Sequence, residues 1–296
     1  MRIAIATIKE MPPEFRDDEL LVEAVRAQSA EVDYLPWDDP DYDWGAPDLV
    51  FARSPWDYTF RHGEFIEWVR SVPAPLENAP ALIEWNADKR YLADLAEAGI
   101  PTVGTTYVEP GAEPPLIERQ VVVKPTISAG GRSTGRFGPD SAGAAYELIG
   151  SITADGGTAM VQPFVGTVDS AGETAVVTIA GEVSHVLRKK AVLRPDEVAP
   201  LRADGLSAAE AMYDPELVVA GTATADELEL AESLIGVVAE RFGRTPLVAR
   251  VDMLRATDGS PMLLELEAIE PNLYFAHGPG AVDRLADALV DRAAEV

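Results

Sequence analysis

Short apolar runs alternate with longer amphipathic stretches over the first eighty residues. Residues 2–7 (RIAIAT) form an apolar run of strand length, and residues 17–30 carry apolar positions at helical spacing. Strand-like runs follow at 32–36 and 48–53, and a second helical pattern covers 61–70. This β-α-β alternation predicts a small parallel sheet with helices against it. The proline-rich stretch 73–80 reads as a linker, which places a first α/β domain at residues 1–85.

The pattern then changes. Asn86 reads as the N-cap of a helix over 87–98, stopped by Gly99 and Pro101. A strand at 121–125, a Gly/Ser-rich loop at 127–138, a helix near 140–149 and a strand at 159–164 make a central lobe, residues 86–165. A hairpin over 173–180 and 182–189, turning at Ala180-Gly181, opens a third lobe, 166–296. A helix at 225–242, a second hairpin and a terminal amphipathic helix at 281–294 complete it.

That second hairpin carries the strongest chemical signal. Its arms are 247–255 (LVARVDMLR) and 261–267 (PMLLELE), joined through Asp258-Gly259. Side chains alternate faces along a strand, so Arg250 and Asp252 share one side and Glu265 and Glu267 share another. A two-residue turn at Asp258-Gly259 pairs Thr257 with Ser260, which sets Asp252 opposite Glu265 and Arg250 opposite Glu267. Like charges directly across a ladder cost roughly 0.2–1 kcal/mol, so a bound cation is the natural explanation. Hard carboxylate oxygens without His or Cys favour Mg²⁺, with Mn²⁺ the alternative, over zinc. A plain solvent-facing hairpin gives the same alternation, but residues 268–272 (AIEPN) add Glu270 and Asn272 instead of a surface-like composition.

Composition narrows the field. The chain has 296 residues, 47% hydrophobic and without cysteine, enough for a buried core and excluding disulfides and thiolate chemistry. Its 24 basic and 50 acidic residues give a formal net charge of −26, which argues against nucleic acid as a partner. No apolar run approaches the ~20 residues of a membrane span, and residues 1–7 read as a strand rather than a signal peptide. A soluble cytoplasmic protein is expected, with no membrane or nucleic-acid partner. A polyanionic nucleotide would need a metal and local positive charge, so the five lysines, 9, 89, 124, 189 and 190, gain importance.

The loop Ser128-Ala-Gly-Gly-Arg-Ser-Thr-Gly135 follows the strand bearing Lys124. Glycines let backbone N–H groups approach an anion, and Ser, Thr and Arg add donors. Neither GxxxxGK[ST] nor a strand-borne GxGxxG occurs. Gly131-Arg-Ser-Thr-Gly135 does fit GxSxG, with Asp252 and His277 following in hydrolase order. A serine esterase using Ser133 is therefore a rival reading, weakened by the long loop before Gly131 and by Pro139 after it.

Taken in order, these segments resemble the ATP-grasp superfamily, ligases that activate a carboxylate with ATP. The resemblance spans about residues 86–280 and rests on 121–125 (VVVKP) with its glycine loop, 160–164 (MVQPF), Arg250-Val-Asp252 and 264–267 (LELE). The wording of 53–58 (RSPWDY), 85–89 (WNADK), 184–189 (SHVLRK) and 267–275 (EAIEPNLYF) is similar to the cycloserine-synthetase subgroup. It implies an α/β fold of the ATP-grasp kind: a parallel-sheet first lobe, a lid-bearing central lobe and a C-terminal lobe with an antiparallel sheet, ATP lying between the last two.

The resemblance also implies roles. Lys89 and Lys124 would hold the nucleotide phosphates, and the loop Ser128, Gly130, Gly131, Arg132, Ser133 would close over the transferred phosphoryl group. Gln162, Pro163, Phe164 and Val165 would meet adenine, and Asp169 and Glu173 compete for the ribose. Asp252, Glu265 and Glu267 would bind two Mg²⁺ ions, the family often having Asn where Glu267 stands. Arg250 would stabilise developing charge, with Lys189 and Arg188 as further catalytic candidates. An amino-acid-like substrate would face Arg53, Asp57, His185, Glu270 and Asn272. Simpler readings stay open: Arg188 and Lys189 as a solvated strand end, His185 as a satisfied half-buried histidine, and Trp56, Tyr58 and Trp85 as packing residues. The chemistry is ring closure within one substrate or joining of a carboxylate to a second molecule's amine. Related ligases suggest a homodimer.

Overall fold

The computed structural model describes residues 1–11, 15, 17–191, 193 and 217–295. The apolar run at the N-terminus is β1 (Arg2–Thr7), followed by α1 (Asp17–Ala27), β2 (Glu31–Pro36), β3 (Leu49–Ser54), α2 (His62–Ser71) and β4 (Leu76–Glu77). These four strands form one parallel sheet in the order β2-β1-β3-β4, as the β-α-β pattern requires. Residues 73–80 do not form a loose linker. They contain β4, and Pro80 occupies the first turn of α3 (Pro80–Asn86), where its missing N–H has no helical partner to lose.

The helix expected at 87–98 is shortened to α4 (Tyr91–Glu97), with α3 ending just before it. Asn86 ends α3 rather than capping a helix, because its side chain is engaged by the third sheet. Next come β5 (Thr106–Val108), β6 (Val121–Pro125), β7 (Gly135–Phe137), α5 (Ala142–Ala154) and β8 (Ala159–Pro163), giving an antiparallel sheet β5-β8-β6-β7. The far end of the expected 127–138 loop is therefore β7, paired with β6.

The chain continues through a single helical turn α6 (Val168–Ala171), β9 (Glu173–Ile179), β10 (Glu182–Lys189), β11 (Val218–Ala220), α7 (Ala225–Phe242), β12 (Val248–Arg255), β13 (Pro261–Glu267) and α8 (Ala281–Ala294). The third sheet, β11-β10-β9-β12-β13, is antiparallel throughout. Helix α7 packs on one face through Leu230, Leu234 and Val238. On the other face the sheet joins α1 and α8 in one core with Leu21, Val25, Leu285 and Leu289. Among the described residues no helix is long and apolar enough to cross a membrane.

β13 is an edge strand, normally a row of unpaired backbone groups. Here side chains from the preceding segment close it. Asn86 donates to the Leu266 carbonyl at 2.9 Å and accepts from Ala268 N–H at 2.8 Å. The Tyr91 hydroxyl donates to the Leu266 carbonyl at 2.9 Å and accepts from its N–H at 2.8 Å. Asn78 donates to the Val248 and Ala268 carbonyls and accepts from Leu247 N–H. Leu266 lies between the two glutamates, so these bonds fix where both carboxylates stand.

Candidate active site

The β12–β13 hairpin places Asp252 opposite Glu265 and Arg250 opposite Glu267, as the sequence predicts, by a different route. The turn is one residue longer than expected: Ala256 pairs with Ser260, and Gly259 adopts φ +88°. Carried along the strands, that register would flip every side chain to the other face. An extra residue between Leu263 and Glu265, opposite Met253, restores it. The bulge is thus what keeps both glutamates on the face of Asp252 and Arg250.

That face forms one wall of a cleft of about 360 Å³. Lys89 and Lys124 enter it from the segments after α3 and within β6, and the glycine loop contributes Ser128, Gly130, Gly131 and Arg132. Gln162, Pro163, Phe164 and Val165 line it at the end of β8, with Glu173 and Lys189 nearby. Trp56, Tyr58, Glu270, Asn272 and Tyr274 line the side nearest the first lobe. Residues from the second and third sheets and from loops of the first lobe therefore meet in one place.

The cleft's charges are interlocked. Lys89 Nζ lies 3.0 Å from Glu265 and also donates to the Ser128 carbonyl. Lys189 Nζ lies 2.7 Å from Asp252 and 2.9 Å from Glu173. Arg250 grips Asp252 through two bonds of 2.9 Å, reaches Glu267, and donates to the Asn272 carbonyl at 3.0 Å. Lys124 is buried and, among the described residues, makes no hydrogen bond or ion pair. Burial pushes its ammonium below the usual lysine range despite Glu265 nearby.

The carboxylates are driven apart by their surroundings. Burial alone would raise Asp252, but Arg250 and Lys189 hold it well below the usual carboxylate range. Burial likewise opposes ionisation of Glu265, and Lys89 with Lys124 overcomes it. Glu267 is pushed up to about 7 by burial, with Asp252 and Glu265 adding to the effect against Arg250. Glu270 is pushed up to about 8, again first by burial.

Among the described residues no three acidic or histidine side chains already converge as a metal site. Each carboxylate is closed on a lysine or arginine instead. The donor set still fits a hard divalent ion: three carboxylates on one face, where burial first, and then Asp252 and Glu265, oppose ionisation of Glu267.

Several expected residues lie elsewhere. Arg188 neighbours Lys189 on β10 and so faces the opposite side, where it bonds Thr174, donates to the Thr222 carbonyl and approaches Glu227 at 3.5 Å. His185 shares the Lys189 face but sits beyond buried Leu187, bonded to the Leu273 carbonyl at 2.7 Å. Its ring packs so closely on Gly278 that a Cβ there would come within 2.6 Å. Arg53 is buried against Asp18 at 3.1 Å and donates to the Pro271 carbonyl. Asp57 accepts from the Trp37 indole and pairs with Arg61. These three fasten the first lobe and the 270s segment instead of lining the cleft.

Of the two ribose candidates, Glu173 lines the cleft, whereas Asp169 pairs with Arg136 at 3.0 Å and does not. Ser133 is buried at φ +50° in a loop joining antiparallel β6 and β7, not in a strand-to-helix elbow. Asp252 is committed to Arg250 and Lys189, and His277 is outside the cleft, so no serine triad forms. Sequence reasoning missed Trp56 and Tyr58 as cleft residues. They stand in a turn just after β3, at residues 56–60, where strand alternation gives no signal of facing.

Residues 3–78 match the family model described as the N-terminal domain of D-cycloserine synthetase DcsG. The cycloserine biosynthesis protein DcsG of Streptomyces lavendulae is 33% identical over 297 residues, covering 96% of this chain and 93% of that protein. The crystal structure of D-cycloserine synthetase DcsG superposes with a TM-score of 0.87 at 30% identity, over 99% of this chain and 100% of that one. D-alanine–D-alanine ligase from Bacillus anthracis, solved with ATP, shares the fold at a TM-score of 0.65 and 11% identity, over 100% and 98% of the two chains.

Proposed function

This chain belongs to the D-cycloserine synthetase family of ATP-grasp ligases, and from that membership we propose that it closes a ring within one amino-acid-derived substrate. The family makes it an ADP-forming ligase that creates carbon–nitrogen bonds. The observation that best supports a nucleotide in this cleft is Lys124, a buried ammonium without a partner among the described residues, facing three carboxylates beside a glycine-rich loop. Such a charge is costly to bury alone and favourable against a phosphate.

Lys89 and Lys124 hold the phosphates, and residues 162–165 receive the base. Glu173 takes the ribose hydroxyls in preference to Asp169, which is bound elsewhere. Asp252, Glu265 and Glu267 would hold Mg²⁺, two ions in the reading followed here, which supplies charge neutralisation for the β- and γ-phosphates when bound. Gly130 and Gly131, at φ +62° and +69°, let the loop backbone bend over the phosphoryl group. Arg132 anchors that loop on the first lobe by bonding Thr59 at 2.5 Å and covering the Phe60 ring.

In the proposed reaction a carboxylate oxygen of the substrate attacks the γ-phosphorus, and the bond to ADP breaks. The resulting acyl phosphate is attacked at carbon by a nitrogen of the same molecule, and inorganic phosphate leaves. Arg250, fixed by Asp252 and Glu267, faces the charge that develops on the carbonyl oxygen. Exclusion of water by the loop protects the acyl phosphate.

Cycloserine is a cyclic hydroxamate, and opening its carbon–nitrogen bond gives a β-aminooxy-alanine. Mg-ATP and β-aminooxy-D-alanine should yield one ADP per ring formed, with a product lighter than the substrate by one water. A panel of single amino acids tests intermolecular joining. Dipeptides without cyclised product would overturn ring closure, and no substrate-dependent ADP release would overturn the ligase.

A further inference from the structure

Glu270 is the one carboxylate of the cleft that lacks an ion pair among the described residues. It is 9% exposed, lines the cleft on the side of the first lobe, and its side chain stands beside the buried Tyr58 hydroxyl. Its backbone carbonyl accepts from the Trp56 indole at 3.2 Å, which fixes the segment. The other carboxylates on the cleft wall are neutralised: Glu265 by Lys89, Glu267 by Arg250, Asp252 by Arg250 and Lys189, Glu173 by Lys189. The cations that influence Glu270, Lys89 and Arg132, are engaged with Glu265 and with Thr59 and Phe60.

Keeping a lone carboxylate in such a place is unfavourable unless a positive charge joins it. The neighbouring Tyr58 hydroxyl is neutral and supplies no offsetting charge. Trp56 and Phe15, packed edge-to-face at 4.7 Å, also border the cleft and offer aromatic surface that favours a cation. A divalent ion is better served by the three carboxylates of the β12–β13 face.

We propose that Glu270, beside Tyr58, is the counter-ion for the α-ammonium group of the substrate, and so selects amino acids over simple carboxylic acids. The inference rests on placing the nucleotide as above, because that leaves the first-lobe side of the cleft to the substrate. The substrate carboxylate then points toward the phosphates while its ammonium points away.

The test compares D-serine with 3-hydroxypropionate, which differ only in the ammonium, binding to the whole protein with Mg²⁺ and a non-hydrolysable ATP analogue. Calorimetry should show D-serine binding at least ten-fold tighter to the natural protein. In Glu270→Gln, an isosteric change whose fold is checked by thermal melting, that preference should collapse to less than three-fold. Tyr58→Phe should weaken D-serine by a smaller factor without abolishing the preference. A ten-fold preference surviving in Glu270→Gln, or no preference in the natural protein, overturns the assignment. Loss of Mg²⁺-dependent nucleotide binding in Glu270→Gln would assign the carboxylate to the metal and equally overturn it. Glu270-dependent D-serine binding without cyclised product in the turnover assay would sink ring closure and leave this inference standing.

Discussion

Lys124 illustrates how a single residue trades stability for function. Its ammonium is buried on β6 without a counter-ion among the described residues, and burial lowers its proton affinity. Removing such a charge in favour of an apolar chain of similar length is often neutral or stabilising, by about 1–4 kcal/mol. Lys124→Met is therefore expected to raise the melting temperature of the free protein while weakening nucleotide binding at least ten-fold. A variant that melts lower and still binds ATP normally would show that Lys124 is structural. Glu77 offers a second residue-scale prediction, well away from the cleft. Burial pushes its carboxyl up to about 7 although Arg244 lies 3.3 Å away. Because the folded protein holds this proton more tightly than the unfolded chain, the stabilisation is full below about pH 4.5 and lost as pH rises through about 7. The contribution is at most about 3 kcal/mol. Urea midpoints of the natural protein should fall across that window, and Glu77→Gln should flatten the slope. An unchanged slope would remove Glu77 as its origin.

At the scale of elements, the carboxylate-bearing face depends on how an edge strand is held. Asn86 satisfies one N–H and one carbonyl of β13 and its continuation. Asn86→Ala leaves the Ala268 N–H unmatched, at about 1–3 kcal/mol, removes one of the two donors to the Leu266 carbonyl, which keeps Tyr91, and loosens the strand that carries Glu265 and Glu267. The expected outcome is a loss of a few kcal/mol in chemical denaturation together with weaker Mg-ATP binding. Destabilisation with unaltered nucleotide affinity would separate the clamp from the site. The facing of the carboxylates was legible in the sequence, because strand alternation alone sets Arg250 with Asp252 and Glu265 with Glu267. The clamp was not, since Asn86 before a helical pattern has the chemistry of a cap, and only long-range pairing reveals that its amide is already used. The bulge was hidden for a related reason: a longer turn and an extra residue before Glu265 cancel, so the simplest register gave the right partners. Arg188 was misplaced by ignoring, on β10, the alternation that served on β12. Arg53, His185 and Asp57 have the residue types of a binding site, and nothing local distinguishes them from residues that fasten neighbouring segments.

At the scale of the whole molecule, charge is sorted by depth. The chain carries a net charge of −26, yet Lys89, Lys124 and Lys189, three of its five lysines, line the cleft. The outer surface therefore repels itself, while inside the cleft the lysines stand against its carboxylates. Exposed ion pairs such as Arg70–Glu84 and Arg90–Asp88 are worth about 0–1 kcal/mol apiece and lose value in salt. Repulsion among the excess acidic groups acts over longer distances and is relieved by the same salt, as the screening length drops from about 30 Å at 10 mM to about 8 Å at 150 mM. With so large an imbalance the long-range effect wins, so sodium chloride raised over that range should increase the melting temperature of the free protein by several degrees. A melting temperature that falls with salt would mean the specific ion pairs outweigh the net charge. Mg²⁺ alone, at equal ionic strength, should stabilise further, because it also meets the crowded carboxylates of Asp252, Glu265 and Glu267. That increment should vanish in Glu265→Gln, which removes a hard oxygen charge from the β13 face without changing its shape. If the increment persists, the extra stabilisation comes from general screening of the acidic surface and not from the cleft.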